Sequence, residues 1–401
     1  MKKLPVFLTI VTLFMAACGG NETAETIPPA PTVANTAAAT SLPAATPTLP
    51  PPAIVAPGDT PTPPPTTAPE SAGTAQNEEV ALLTAADFGD NRNPLTGELV
   101  ADTSLLQQRP LAVKISNAPP LYVRPQSGLN DAAIIYEHTA EGSITRFTAI
   151  FYGKLPPKIG PIRSARLIDL ELPAMYDAAL AFSGASAGVS QRLYTSDFVN
   201  RIIRSNEKGY YRTGEDKPYE HTLYGDPQGF LDALTAKGEN HAPDFNGLLT
   251  FTSRPPEGGT PASQAIIDYQ WEEVEWRYDE SNGRYWRWAG GEPIMDANYN
   301  EQVSAANIVI IAPFHVEDPT ICEEIRDNQC AHLSVQIQLW GSGSGIILRD
   351  GQQYPVNWHR QNRNDLLTFT DADGNPFPLQ IGNTWVQLVP TWYQDPVTVL
   401  P

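Results

Sequence analysis

The chain has 401 residues and a formal net charge of −19 at neutral pH. This acidic balance argues against a nucleic-acid-binding protein and against electrostatic docking on anionic lipid, because both need basic patches. After about residue 80 the chain is long enough for two folded domains with their own cores.

The first seventeen residues have the pattern of a secretory signal. Two lysines follow Met1, and an apolar run over residues 4–15 leads to two alanines and Cys18. The run is shorter than the roughly twenty residues that span a bilayer. A cysteine after small residues is typical of bacterial lipoproteins. We therefore predict a signal peptide over 1–17, lipidation of Cys18, and an extracytoplasmic protein anchored to the cell membrane, or to the outer membrane of a two-membrane cell.

Residues 18–80 are predicted to be a disordered tether. Fourteen prolines lie between residues 19 and 77, and no lysine or arginine occurs between Lys3 and Arg92. Such a composition cannot bury enough apolar surface to offset the entropy of ordering. The folded part is therefore expected to stand away from the membrane.

Strand and helix patterns alternate over residues 92–246, which predicts an N-terminal α/β domain. Strands are expected at 111–116, 133–139, 144–152 and 178–183, and the second and third are close enough to form a hairpin. Helices are expected at 164–177, 188–194 and 226–237.

Residues 263–401 predict a mostly antiparallel β domain, a sandwich or a barrel. All eight tryptophans follow residue 270, and a loop-like stretch over 247–263 marks the boundary. The fold class is therefore α+β. Short strands are expected at 266–278, 284–288, 307–311, 333–340, 345–348, 353–358, 366–370 and 384–389.

An arginine–glutamate cluster is the first candidate site. A two-residue turn at 141–142 would place Glu137 opposite Arg146 and leave Glu141 in the turn. Arg163 and Arg166 follow a Gly-Pro pair at the start of a predicted helix. Guanidinium groups and helix N-termini both favour anions, so these residues could bind a carboxylate, a phosphate or an acidic sugar–peptide group. The alternative is an internal ion-pair network that fixes the hairpin to the helix.

A possible nucleophile is the second candidate. Ser186 is the central residue of a G-x-S-x-G sequence between a predicted strand and a predicted helix, and His221 could be its base. An α/β-hydrolase normally has more strands between these two residues. Small residues at such a turn also need no catalytic reason.

Two further groups of residues each allow two interpretations. Cys322 and Cys330 predict a disulfide in an exported protein, although together with His315 and His332 they could also hold zinc. A group of aromatic residues around one predicted turn could fill the core or stack on sugars: Trp271, Trp276, Tyr278, Tyr285, Trp286 and Trp288.

Several short motifs lie along the chain, at residues 93–97 (NPLTG), 109–113 (RPLAV), 124–129 (RPQSGL), 141–147 (EGSITRF), 160–166 (GPIRSAR), 221–224 (HTLY) and 341–345 (GSGSG). They resemble the YerB-type family of bacterial lipoproteins over about residues 92–395. The resemblance implies an exported lipoprotein with a two-part domain, but no activity. Thr222 departs from the His-Asn-Leu-Tyr sequence that is usual in the family.

The sequence thus predicts a lipid-anchored envelope protein that acts as a binding or scaffold module. Its expected partners are the membrane, through the lipid, and peptidoglycan or cell-wall enzymes, and no cofactor or metal is expected. The alternative is a wall-acting serine hydrolase that uses Ser186 and His221.

Overall fold

A computed structural model describes residues 82–83 and 85–401. The predicted signal peptide, Cys18 and the predicted tether lie outside the described residues. The described part falls within one compact unit, Thr74–Pro401. None of its helices combines the length and the apolar character that crossing a bilayer requires.

Helices contribute little to the described part of the chain. Asp226 caps the longest of them by accepting a hydrogen bond from the Gln228 amide, Pro227 occupies its first position, and the left-handed Gly238 ends it. The α-helices are α1 (Ala85–Phe88), α2 (Pro120–Val123), α3 (Leu172–Met175), α4 (Ala187–Tyr194) and α5 (Pro227–Lys237). Short 3₁₀ helices occur at Thr103–Gln107, Leu129–Asp131, Glu141–Ser143, Leu167–Leu170, Val199–Arg201 and Tyr219–His221.

Strands make up most of the regular structure. In the N-terminal half they are β1 (Leu111–Ser116), β2 (Ile134–Thr139), β3 (Thr145–Phe151), β4 (Ala179–Ala181), β5 (Ile202–Ile203), β6 (Tyr210–Arg212), β7 (Leu223–Gly225) and β8 (Phe251–Thr252). They continue with β9 (Thr260–Pro261), β10 (Gln264–Asp268), β11 (Glu273–Asp279), β12 (Arg284–Ala289), β13 (Glu292–Pro293), β14 (Met295–Asp296), β15 (Glu301–Gln302) and β16 (Ser304–Ala305). The last are β17 (Asn307–Ile311), β18 (Phe314–Arg326), β19 (Gln329–Gln338), β20 (Gly341–Arg349), β21 (Gln352–Arg360), β22 (Thr368–Thr370), β23 (Leu379–Gln380), β24 (Thr384–Leu388) and β25 (Val397–Leu400).

A large mixed sheet takes strands from both halves of the chain. Its order is β22-β21-β20-β17-β24-β2-β3-β1-β4-β5, with β9 paired to β21. The two halves meet where β2 pairs in parallel with β24, so that Tyr136 lies beside Val386. A second sheet, β13-β12-β11-β10-β25 with β16 on β12, is antiparallel throughout.

Apolar side chains on the two faces of the large sheet build two cores. One face packs against the second sheet, and there the Trp385 ring meets Phe147 and Trp276 at centroid distances of 5.1 Å each. The other face packs against α3, α4 and the Leu167–Leu170 turn. Residues on this second face surround the candidate site.

Strands β18 and β19 form a separate two-stranded ribbon. Ile321 of the ribbon packs against Gly188 of α4, where an added Cβ would come within 2.6 Å of Ile321 Cγ1. A disulfide joins Cys322 to Cys330 near its tip, which confirms the predicted bridge. Sequence patterns predicted only the second ribbon strand, and that only in part.

The predicted α+β class is confirmed, with a mixed sheet and few helices followed by antiparallel strands. The predicted helix at 164–177 is wrong, because the chain there forms only the Leu167–Leu170 turn and α3. Pro173 at the start of α3 has no amide hydrogen to continue a helix from the preceding turn. The predicted strand at 266–278 is two strands, β10 and β11, joined by a tight turn. The division into domains at 92–246 and 263–401 stays a prediction.

Candidate functional site

A fully buried lysine lies at the base of the candidate site. Lys114 is the one charged residue of β1, and its Nζ contacts His138 Nε2 at 2.5 Å, Thr148 Oγ1 at 3.0 Å and Asp169 Oδ2 at 2.8 Å. His138 Nδ1 lies 2.9 Å from the Thr139 carbonyl oxygen, so the neutral ring donates there and accepts from Lys114 at Nε2. Burial, together with the nearby Lys114, holds the pKa of His138 well below its usual value.

A second layer of charge lies next to this lysine. Glu141 accepts hydrogen bonds from Arg146 Nη2 at 2.7 Å and from Arg166 Nε at 2.8 Å, and Arg166 Nη2 also contacts it. Burial raises the pKa of Glu141, but Arg146 and Arg166 outweigh this effect and lower the pKa to about 2. Arg146 and Arg166 are themselves buried. These three residues therefore form an internal ion-pair network.

The ribbon covers one side of the network. Glu323 Oε2 lies 3.4 Å from Arg166 Nε, and Glu323 Oε1 accepts a hydrogen bond of 3.2 Å from Ser186 Oγ. Farther along, Arg192 of α4 pairs with Asp318 of the ribbon at 2.6 Å. The ribbon thus supplies a carboxylate that sequence reasoning did not assign to the site.

Arg163 differs from the other arginines of the cluster. Its side chain is half-buried and makes no hydrogen bond or ion pair within 4 Å to any residue in the described ranges. Burial lowers its pKa, while the negative charge of Glu220 opposes that shift. Lys114, Arg146 and Arg166 are matched in number by Glu141, Asp169 and Glu323. Arg163 is therefore the cation that the cluster leaves without a close partner.

Glu137 does not join this cluster, and its predicted pairing with Arg146 is wrong. Arg146 lies opposite His138, and Glu137 lies opposite Phe147. The hairpin closes through the Ala140 amide and the Ile144 carbonyl with three residues between them rather than two, which shifts the register by one. Glu137 consequently points to the other face of the sheet.

The predicted Ser186–His221 pair is not assembled in the structure. Ser186 precedes α4, and its hydroxyl bonds to Glu323. His221 is buried and stacks on Tyr122 at a centroid distance of 5.5 Å. Among the described residues no hydrogen bond links Ser186 to His221, which a nucleophile and its base require.

The structure also shows the positions of the other two candidate groups, the cysteines with their histidines and the aromatic residues. The disulfide uses both thiols, so the alternative zinc site with His315 and His332 is wrong. His315 instead bonds to the Pro313 carbonyl oxygen at 2.7 Å through Nδ1. Of the aromatic group, Trp276 and Tyr285 are buried in the core, Tyr278, Trp286 and Trp288 are half-buried, and Trp271 is exposed.

Sequence reasoning missed four members of the cluster. Lys114 and His138 each interrupt an apolar strand, and a charged or polar residue within a fully buried strand is itself a signal. Asp169 accepts a hydrogen bond of 2.7 Å from the Arg166 amide, which the spacing of three residues allows. Glu323 has no local signal, because its contacts lie more than 130 residues away in sequence.

Comparisons with known proteins identify two domain families along the chain. The N-terminal domain model described as "Protein of unknown function (DUF3048)" matches residues 95–240, and its C-terminal counterpart matches residues 265–386. A Bacillus subtilis (strain 168) protein named "Putative lipoprotein YerB" is 31% identical over 307 residues, covering 74% of this chain and 86% of its own length. The crystal structure of YerB from Bacillus subtilis aligns with a TM-score of 0.63 at 27% identity, over 77% of this chain and 99% of that one.

Proposed function

The chain belongs to the two-domain DUF3048 family, and on this premise we propose that it is a lipid-anchored binding protein of the cell envelope. Support for the anchor comes from the signal pattern that ends at Cys18 and from the Bacillus relative, whose name includes the word lipoprotein. A thioether-linked diacylglyceryl group would hold the protein stably at the membrane surface, because two acyl chains together give strong attachment.

The observation that carries the binding function is the unpartnered Arg163. It lies beside a rigid network in which Arg146 and Arg166 are already paired to Glu141. Because this frame is buried and hydrogen-bonded, it would not need to rearrange when a ligand binds, and only the Arg163 side chain would become ordered.

The charge of the cluster favours a single carboxylate over a phosphate. The paired cations and anions of the cluster balance, and Glu220 already offsets part of the Arg163 charge without an ion pair, so the site accommodates at most one further negative charge. A dianionic phosphate would leave excess negative charge beside Glu141 and Glu323, whose side chains are only 16% and 2% exposed. Arg163 can meet a carboxylate with two parallel N–H donors. In a wall-associated protein, the peptide carboxylates of peptidoglycan have this chemistry.

We prefer a binding function to a hydrolytic one because Ser186 and His221 each interact with another residue. Ser186 donates to a carboxylate that also pairs with Arg166, and His221 is stacked on Tyr122. Burial, with Arg163 nearby, lowers the pKa of His221, so its ring is neutral at physiological pH. A neutral ring could act as a base, but nothing in the described residues places it against the serine hydroxyl.

The test is a calorimetric titration of the mature protein with a synthetic peptidoglycan stem peptide that has free carboxylates and no sugar. We expect Arg163→Ala to weaken binding at least about tenfold, because an ion pair with two hydrogen bonds is lost. Arg163→Lys should retain part of the affinity. Arg204→Ala, which removes an exposed arginine stacked on Tyr194, is the matched control and should bind like the wild type.

Two further measurements separate a binding site from a structural network. Arg163→Ala should leave the melting temperature nearly unchanged, whereas Arg166→Ala should lower it, since Glu141 and Glu323 would both lose a buried partner. The peptide with its carboxylates amidated should not bind. Failure of the wild type to bind the free peptide, or equal binding by Arg163→Ala, would overturn the proposal.

A further inference from the structure

A cleft of about 860 Å³ lies away from the arginine cluster. Its walls come from the 98–105 loop, from residues 130–133 and 153–155, and from the outward face of β12 with the 299–304 segment. The size falls within the range typical of small-molecule sites. Both halves of the chain contribute to it, and Trp286 of the predicted aromatic group lines it.

Two aromatic rings in the cleft are held by their polar ends. Along β12, Tyr285 and Arg287 point into the core, so Trp286 points outward and lines the cleft. Its Nε1 donates to Asp279 Oδ2 at 3.1 Å. The Tyr299 hydroxyl donates to Asp131 Oδ2 at 2.7 Å, yet the side chain remains 41% exposed. Fixed rings with accessible surface can stack on a ligand at little entropic cost.

Arg284 adds a directed hydrogen-bond donor. Its Nε donates to Ser304 Oγ at 2.8 Å and its Nη2 to Asn383 Oδ1 at 2.6 Å. Its Nη1 makes no hydrogen bond to the described part of the chain. A guanidinium fixed on two sides with one nitrogen uncommitted can donate to a ligand oxygen without rearrangement.

The charges of the cleft decide the class of ligand. Lys154 is paired with the buried Asp131 at 2.5 Å, so it is already neutralised. The other lining carboxylates, all exposed, outnumber Arg284: Glu98, Asp102 and Glu301. This excess of negative charge disfavours phosphate, sulfate or carboxylate ligands. Aromatic faces with carboxylate acceptors and an arginine donor instead suit hydroxyl groups on an apolar ring.

We propose that this cleft binds an uncharged oligosaccharide, with sugar rings stacked on Trp286 and Tyr299 and a hydroxyl or carbonyl oxygen bound by Arg284. The site is independent of the carboxylate site at Arg163. It therefore gives the protein a second binding site, for glycan rather than for peptide carboxylates. The apolar face of each sugar ring would contact an aromatic side chain, while the sugar hydroxyl groups would donate hydrogen bonds to Glu98, Asp102 or Glu301.

The test is calorimetric titration of the mature protein with a neutral oligomer of N-acetylglucosamine. Trp286→Ala and Tyr299→Ala should each weaken binding about tenfold, because each removes a stacking surface. Trp288→Ala is the matched control. Trp288 projects from the same face of the same strand but stacks on Arg277 at 4.1 Å and does not line the cleft. The Trp288→Ala variant should bind the oligomer with an affinity within about twofold of that of the wild type.

Three results would overturn the proposal. The wild type could fail to bind the neutral oligomer, Trp286→Ala and Tyr299→Ala could bind as tightly as Trp288→Ala, or a fully carboxylated glycan could bind more tightly than the neutral one. If Trp286→Ala lowers the melting temperature, Tyr299→Ala decides, because its exposed side chain is not part of either core. Arg163→Ala should leave saccharide binding unchanged, which separates this site from the carboxylate site.

Discussion

Removal of the Glu137 carboxylate should destabilise the protein strongly. Glu137 and Arg287 are both fully buried, and their Oε2 and Nη2 atoms lie 2.9 Å apart. Glu137 also accepts hydrogen bonds from Thr145 Oγ1 at 2.9 Å and from Trp385 Nε1 at 3.2 Å. In Glu137→Ala the Arg287 guanidinium would stay buried, 4.5 Å above the Trp385 ring, without its counter-ion.

The expected loss of stability follows from the Arg287 charge, which would be buried without a counter-ion. Breaking a buried pair by removing one partner costs about 3–5 kcal/mol. In large domains each kcal/mol lowers the melting temperature by roughly 2 °C, so the expected drop is about 6–10 °C. Differential scanning calorimetry of the mature protein measures it. Arg326→Ala is the control, because its pair with Glu324 is exposed at the ribbon tip and contributes little.

A double variant tests the reasoning more sharply. Replacement of both partners, Glu137→Leu with Arg287→Met, removes the charges together and fills the space with apolar atoms. A buried pair replaced in this way is often neutral or stabilising, so the double variant should melt above Glu137→Ala. A Glu137→Ala protein that melts within about 2 °C of the wild type, or a double variant as unstable as the single one, would refute the argument.

Three further predictions concern the site, the ribbon and the anchor. The pKa of Glu141 is held at about 2 against 4.5 in the unfolded chain, so its stabilising contribution is complete above pH 4.5 and is lost as the pH falls towards 2. The urea midpoint should therefore fall over this window, and less steeply in Glu141→Gln; equal slopes would contradict the assignment. Thiol labelling of the denatured, unreduced protein should find Cys322 and Cys330 blocked, and reduction should speed proteolysis near the ribbon tip; labelled thiols or unchanged cleavage would argue against the bridge. Cys18→Ala should release the protein from membranes, and retention after a carbonate wash would exclude the lipid anchor.

Local sequence signals predicted the elements that local forces determine. The apolar strand β1 was predicted with its observed bounds, and the cap and first-position proline identified α5 to within one residue. The hairpin of β2 and β3 was also predicted, but its register depended on whether two or three residues form the turn. Gly142 and Ser143 both take left-handed conformations there, which a two-residue estimate did not anticipate.

The site itself depends on contacts that no local pattern contains. Arg146 and Arg166 were predicted to lie together, and the structure joins them through Glu141. The ribbon that brings Glu323 to Arg166 belongs to the other half of the chain. Its pairing includes register shifts between Asp318 and Ile325, so the alternation that marks a strand is interrupted there.

The net charge of −19 limits how the protein can find an anionic ligand. A surface of this sign repels carboxylates at long range, so Arg163 can act only at short range, where its half-buried charge is screened less than the surface charges are. An uncharged oligosaccharide meets no such barrier at the cleft of Trp286 and Tyr299. If the lipid on Cys18 holds the protein near the wall, both ligands are present at high effective concentration. Weak, short-range sites on a rigid body would then suffice, and neither would need a basic surface.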